Sequence, residues 1–192
     1  MHTNANGGKL GMQDTGIVRR IDELGRVVIP KELRKTLRIR EGDPLEIYTN
    51  KDELVFKKYS PIVSINSYAE VVAEGLSELT EKICLITDTD AVVYVSGTKG
   101  KDLIGKDISS DMEKTLKDRK SVVLNKSDSG RIISPIRGDD MEAENQIIVP
   151  IVSGGDCYGS VVMIDREKSN RFSSTDVKLV RLGATFLSRQ FE

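Results

Sequence analysis

The chain has 192 residues and a mass of 21.3 kDa, room for one domain or two small ones. Its 38% hydrophobic and 31% charged content, with a net charge of −1, excludes a largely disordered chain. A single histidine, His2, and two cysteines, Cys84 and Cys157, exclude a Ser–His–Asp triad, a Cys–His pair, a His-ligated metal and a disulfide framework.

Residues 1–14 are expected to be a disordered leader or tag, since Met1–Gly11 is polar, rich in Gly and Asn and has no apolar period. Thr15–Ile21 then reads as a strand, with Ile17, Arg19 and Ile21 on one parity and Val18 and Arg20 on the other. Asp22-Glu23-Leu24-Gly25 is a turn in which Gly25 supplies a positive φ. Arg26–Ile29 is a second strand. Pro30 suits a first helical position, where no N–H is needed, and opens a short helix over Lys31–Leu37. Leu33 and Leu37 stack at i, i+4 on that helix, while Lys31, Arg34, Lys35 and Arg38 fall away from the apolar line. Leu45–Thr49 and Leu54–Tyr59 are two further strands around Asn50–Glu53. This ββαββ unit, residues 15–60, has neither disulfide nor metal and is too small to bury a comfortable core alone. It is therefore expected to dimerise by interleaving its hairpins.

Ser60-Pro61 marks the boundary to a second domain, residues 61–192. An amphipathic helix is expected over Ile62–Lys82, with Ile65, Tyr68, Ala69, Val72, Leu76 and Leu79 near helical spacing. Cys84–Thr87 and Ala91–Val95 are apolar strands around Asp88-Thr89-Asp90. Ser109–Arg119 is a helix and Ser121–Leu124 a short strand. Gln146–Val152 and Cys157–Asp165 form a hairpin across Ser153–Asp156. A closing helix begins near Ser173, with Asp176 three residues on as in a capping box. The order predicts an α+β domain with a mostly antiparallel sheet and helices segregated on it.

Several motifs resolve to ordinary structure. Gly100–Lys106 matches the start of a phosphate-binding loop, but Asp107 stands where a magnesium-binding Ser or Thr is needed, and no parallel βαβ unit surrounds it. Cys84 and Cys157 read as small core residues. Asp88 and Asp90 at a hairpin turn, and the acidic loop Asp139, Asp140, Glu142 and Glu144, could hold a hard cation but are ordinary turn and surface chemistry. No cofactor and no metal is expected.

The charge distribution carries more. Thr15–Arg40 holds eight basic and three acidic residues, a local charge of +5, whereas residues 61–192 hold 17 basic and 21 acidic, a charge of −4. A basic segment on an otherwise acidic chain is an electrostatic footprint for nucleic acid. Arginine's planar fork suits both phosphate oxygens and guanine edges. The absence of aromatics from Thr15–Arg40 argues against stacking on single strands and favours duplex DNA. No apolar run approaches the length of a membrane span and no secretory signal is present, so a cytoplasmic protein without a membrane partner is expected.

The run from Thr15 to Arg34, with Asp22-Glu23-Leu24-Gly25-Arg26-Val27-Val28-Ile29-Pro30 at its centre, closely resembles the DNA-binding domain of the AbrB family of bacterial transition-state regulators. The likeness continues through Leu45-Glu46-Ile47-Tyr48 to Lys57-Lys58-Tyr59. It implies a dimeric swapped-hairpin β-barrel. The DNA-contacting arginines of the family fall on Arg19, Arg26 and Arg34, with Arg20 and Lys35 at neighbouring basic positions. Lys31 departs from an apolar residue found there in some relatives. The two-domain arrangement resembles the sporulation regulators of the family, whose second domain is GAF-like. That implies a forespore regulator that activates some genes and represses others. It also implies a tetramer, paired through its C-terminal domains, with a small-molecule effector of unknown identity possible near Gly97–Lys106 and Asn125–Asn145, where Arg131 and Arg137 could meet an anion. An antitoxin using the same DNA-binding fold is the alternative, and an enzyme built on the second domain has no catalytic constellation to support it.

Overall fold

The computed structural model describes residues 15–97, 101–128, 130–138, 141–168 and 171–192. The expected leader, Gly100 of the phosphate-loop-like motif, and Asp139 and Asp140 of the acidic loop lie outside the described residues. The chain divides into two compact units that meet between Asp43 and Pro44.

The first unit is organised by a turn and a helix. Asp22 N–H donates to Arg26 O (3.0 Å) and Gly25 N–H to Asp22 O (2.9 Å), with Gly25 at φ +75°. The positive φ is what glycine supplies without a Cβ penalty. Helix α1, Lys31–Thr36, starts directly after Pro30, which sits as its N-cap rather than inside it. Its C-terminus closes by Ile39 N–H on Arg34 O (2.7 Å) and Arg38 N–H on Lys35 O (3.3 Å), with Arg38 in the left-handed region at φ +53°. That is the paired-bond helix stop. The expected strands over Thr15–Ile21 and Arg26–Ile29 do not form within one chain. A strand is defined by its ladder partner, and here the two arms exchange no ladder beyond the turn. Their apolar side chains stay out in solvent: Val18 is 84% and Val28 73% exposed.

The second unit opens with a hairpin, β1 (Leu45–Asn50) and β2 (Glu53–Lys58), in register from Leu45↔Lys58 to Asn50↔Glu53. Two contacts tie its end to the rest of the unit. Lys58 Nζ donates to Asp90 Oδ2 (2.5 Å) and Ser60 Oγ to Asp88 Oδ2 (2.7 Å). The single expected helix over Ile62–Lys82 is two helices, α2 (Pro61–Ser64) and α3 (Asn66–Thr80). At Ile65 the backbone leaves helical geometry (φ −109°, ψ +30°) and its N–H bonds three residues back, to Ile62 O. Continuous apolar spacing on both sides of the break hid it from the sequence. The bend accompanies complete burial of Ile62.

The remaining elements are β3 (Ile83–Thr87), β4 (Val92–Ser96), α4 (Ser110–Asp118), β5 (Val122–Asn125), β6 (Asn145–Ser153), β7 (Asp156–Asp165) and α5 (Ser174–Ser188). All five strands pair antiparallel in the order β4-β3-β7-β6-β5. Alternation divides the sheet into two apolar faces. Cys84, Ile86, Ile147, Val149, Ile151, Val161 and Met163 pack with Ala69, Ala73 and Leu76 of α3 and Val180, Ala184 and Leu187 of α5. Leu85, Ile148, Val162 and Ile164 pack on the other face with Met112 and Leu116 of α4 and with Ile108, Ile136 and Met141 from the loops. Ser109 caps α4, its Oγ accepting from Met112 N–H. Ser173 and Asp176 form the expected reciprocal capping box at α5. Gly159 is required by close approach, because a Cβ there would lie 1.9 Å from Thr87 O on β3.

Candidate nucleic-acid interface

Arg19, Arg20, Arg26, Lys31, Arg34 and Lys35 all lie in the first unit and all are exposed. The structure places them in three groups. Arg19 and Arg20 are on the arm before the turn, and Arg19 Nη1 donates to Val18 O (3.2 Å). Arg26 is the first residue after the turn. Lys31, Arg34 and Lys35 share one face of α1 at i, i+3 and i+4.

Arg26 differs from the other five. Its Nε donates to Asp22 Oδ2 at 2.8 Å. Asp22 Oδ1 in turn accepts from the backbone N–H groups of Leu24 (3.0 Å) and Arg26 (2.8 Å). The Arg26 backbone N–H, then its guanidinium, hold the Asp22 carboxyl below its usual value, so it stays ionised. Sequence reading singled out the arginines and passed over Asp22. Its signal is an Asp four residues before an Arg across a Gly-containing turn.

In the second unit, Asp88 and Asp90 prove to be linker contacts. Asp88 Oδ1 accepts from the N–H groups of Asp90 and Ala91 (both 2.7 Å), while Oδ2 takes the Ser60 hydroxyl. No group of three His, Cys, Asp or Glu among the described residues could hold a metal. On the side of the sheet where an effector was expected, Leu103, Ile108, Met112, Ile136 and Met141 are buried in one apolar cluster. Gln146 pins the 131–136 segment there, accepting from Ile133 N–H (3.0 Å) and donating to Ile133 O (2.8 Å). Arg131 is paired with Asp111 (3.1 Å) and Arg137 with Glu113 (3.6 Å). Both arginines therefore already have a carboxylate partner. Among the described residues no helix is long and apolar enough to cross a membrane.

Exposed apolar side chains form a second conspicuous surface, on the outer sides of α3 and α5. Tyr68 and Phe186 meet edge-on with centroids 5.9 Å apart. Val71, Leu79 and Leu182 are 67%, 73% and 65% exposed.

Comparison with known proteins gives these surfaces a context. Residues 64–192 match the family described as stage V sporulation protein T C-terminal, transcription factor. Residues 18–63 match the family described as antidote-toxin recognition MazE, bacterial antitoxin. Stage V sporulation protein T of Bacillus subtilis is 43% identical over 94% of this chain and 99% of its own length. The transition state regulatory protein AbrB of the same organism is 49% identical over 38% of this chain and 77% of its own. In fold, the chain is similar to the GAF domain of Acinetobacter phosphoenolpyruvate-protein phosphotransferase (TM-score 0.55, 13% identity, 84% of this chain and 93% of that one). It is likewise similar to the GAF-B domain of Mycobacterium smegmatis DevS (TM-score 0.52, 14% identity, 64% and 89%). The architecture is thus an AbrB-like N-terminal domain followed by a GAF-like one. The match along nearly the whole of both sequences makes the protein a member of the stage V sporulation protein T family of AbrB-type, DNA-binding transcription regulators.

Proposed function

We propose that the protein regulates sporulation genes in the forespore of an endospore-forming bacterium, in its cytoplasm, activating some promoters and repressing others. It reads double-stranded DNA through Arg19, Arg20, Arg26, Lys31, Arg34 and Lys35. The observation that carries this reading is that all six side chains are exposed on a unit that buries almost nothing of its own. Phosphate contacts supply most of the affinity, and the arginine forks supply the selectivity.

Assembly follows from the same exposure. In the hairpin, Ile47, Leu54 and Phe56 are 58%, 56% and 42% exposed, and the arms before and after the Asp22–Arg26 turn carry further apolar side chains in solvent. A second copy supplies the missing ladder and the missing core, giving a swapped-hairpin barrel from residues 15–60 of two chains. The two family matches meet at residues 63 and 64, in keeping with that division. The apolar surface of α3 and α5 then pairs two dimers into a tetramer through residues 61–192. The exposed apolar surface on α3 and α5 supports assembly as a role of this domain, alongside the sensing of a small molecule. The antitoxin reading draws on the match over residues 18–63, but residues 64–192 fold as a five-stranded domain rather than an extended toxin-wrapping tail.

The test is an anisotropy titration of a labelled 40-base-pair duplex across a salt series, comparing the full chain with Arg26→Ala. The full chain should bind with a steep negative salt dependence, and Arg26→Ala should weaken binding by about tenfold or more. Equal binding by the two proteins refutes the assigned face.

A further inference from the structure

Asp22 is an acid placed in the middle of a basic, DNA-facing segment. Simple electrostatics makes it a liability, since a carboxylate beside phosphates repels them. The geometry gives it a different task. Its backbone N–H and C=O close the turn, its Oδ1 accepts from two backbone N–H groups, and its Oδ2 takes Arg26 Nε. The carboxylate is thus oriented by the backbone before it meets the arginine. A guanidinium is planar, so fixing Nε fixes the plane of the whole fork. Nε is the inner edge. One N–H from each Nη nitrogen makes up the outer edge, and the Arg26 side chain remains 71% exposed. Of the six basic residues assigned to the DNA face, Arg26 alone is paired with a carboxylate among the described residues.

We propose that Asp22 is the positioning residue for Arg26, holding the guanidinium so that its outer edge meets a base edge or a phosphate as a preset two-point fork. The proposal rests on the DNA-binding reading of this face. It implies that Asp22 costs some general affinity and contributes selectivity. A loose arginine binds any phosphate within reach, whereas a held one rewards only the acceptor pair that matches it.

The two views of Asp22 predict opposite signs. The experiment is a double-mutant cycle on the full chain with Asp22→Asn, Arg26→Ala and the pair. The Asn variant keeps an oxygen for the two backbone donors and loses the acceptor for Nε. Two duplexes of equal length and composition serve as probes, one selected by the wild-type protein from a random library and one scrambled. The wild-type preference for the selected duplex should fall about tenfold in Asp22→Asn. Affinity for the scrambled duplex should hold or rise. In the Arg26→Ala background the Asn substitution should change the preference no further. Arg26→Lys, which keeps the charge and loses the fork, should lose selectivity as Asp22→Asn does. The proposal is overturned if Asp22→Asn strengthens binding to both duplexes equally, if it lowers the preference as much without Arg26 as with it, or if Arg26→Lys keeps full selectivity. Should Arg26→Ala bind both duplexes as the wild type does, the DNA-face reading falls as well, which separates the two failures.

Discussion

Cys84, on the interior strand β3, is fully buried among apolar side chains. Burial pushes its thiol up to about 12 from an ordinary 9.0, because the thiolate cannot be solvated there. In the unfolded chain the same thiol ionises at its ordinary value. The unfolded state therefore sheds a proton before the folded state does, and stability falls as pH rises between these two values. Denaturant melts at pH 8 and pH 10 should show this loss in the wild type, and a shallower one in Cys84→Ala. Thiol reagents at pH 8 should reach the half-buried Cys157 well before Cys84. Cys84 was legible as a core residue from its apolar strand, and Gly25, Ser173 and Asp176 were legible from turn and capping chemistry. Asp22 was not. Its role is a matter of which of several nearby donors it meets, and residue type and spacing leave that choice open.

At the scale of elements, periodicity read the second domain well because each strand and helix there finds its partner in the same chain. It read the arms Thr15–Ile21 and Arg26–Ile29 as strands too, on equally good alternation, yet a single chain offers them no ladder. In the proposed dimer the missing information is intermolecular. The same lesson applies to α3 and α5, whose inward faces fill the core while Val71, Leu79 and Leu182 stay outside it. Burying one such leucine contributes about 1.5–3 kcal/mol, and a symmetric interface counts each residue twice. If this surface pairs dimers as proposed, Leu182→Glu should leave the melting of the domain nearly unchanged while shifting the assembly from tetramer to dimer, read by light scattering on a sizing column. A tetramer that survives this substitution places the pairing surface elsewhere.

For the whole molecule, the proposed tetramer would make linking two readers matter more than either alone. A tetramer presents two DNA-binding dimers, and once one is bound the second engages at a raised effective concentration. Removing residues 61–192 should leave a folded dimer that binds a duplex carrying two sites more weakly, by tenfold or more, and binds a one-site duplex about as well as before. Anisotropy on the two duplexes separates avidity from damage to the reader. Equal affinity for the two-site duplex in both proteins removes the tetramer from the mechanism.

The contacts of Lys58 with Asp90 and of Ser60 with Asp88 have a consequence in symmetry. A chain with two self-complementary surfaces can satisfy both in either of two ways. It can close four copies around crossed two-fold axes, or it can add copies end to end without limit. Neither surface decides between them. The decision rests with the angle at which one surface is carried relative to the other, and hence with whatever stiffens the joint. Two partly buried carboxylates gripping the last residues of the hairpin and the start of the linker are such a stiffener. In the proposed assembly, keeping them in place should favour a closed tetramer, and removing them should free the same two surfaces to build a filament.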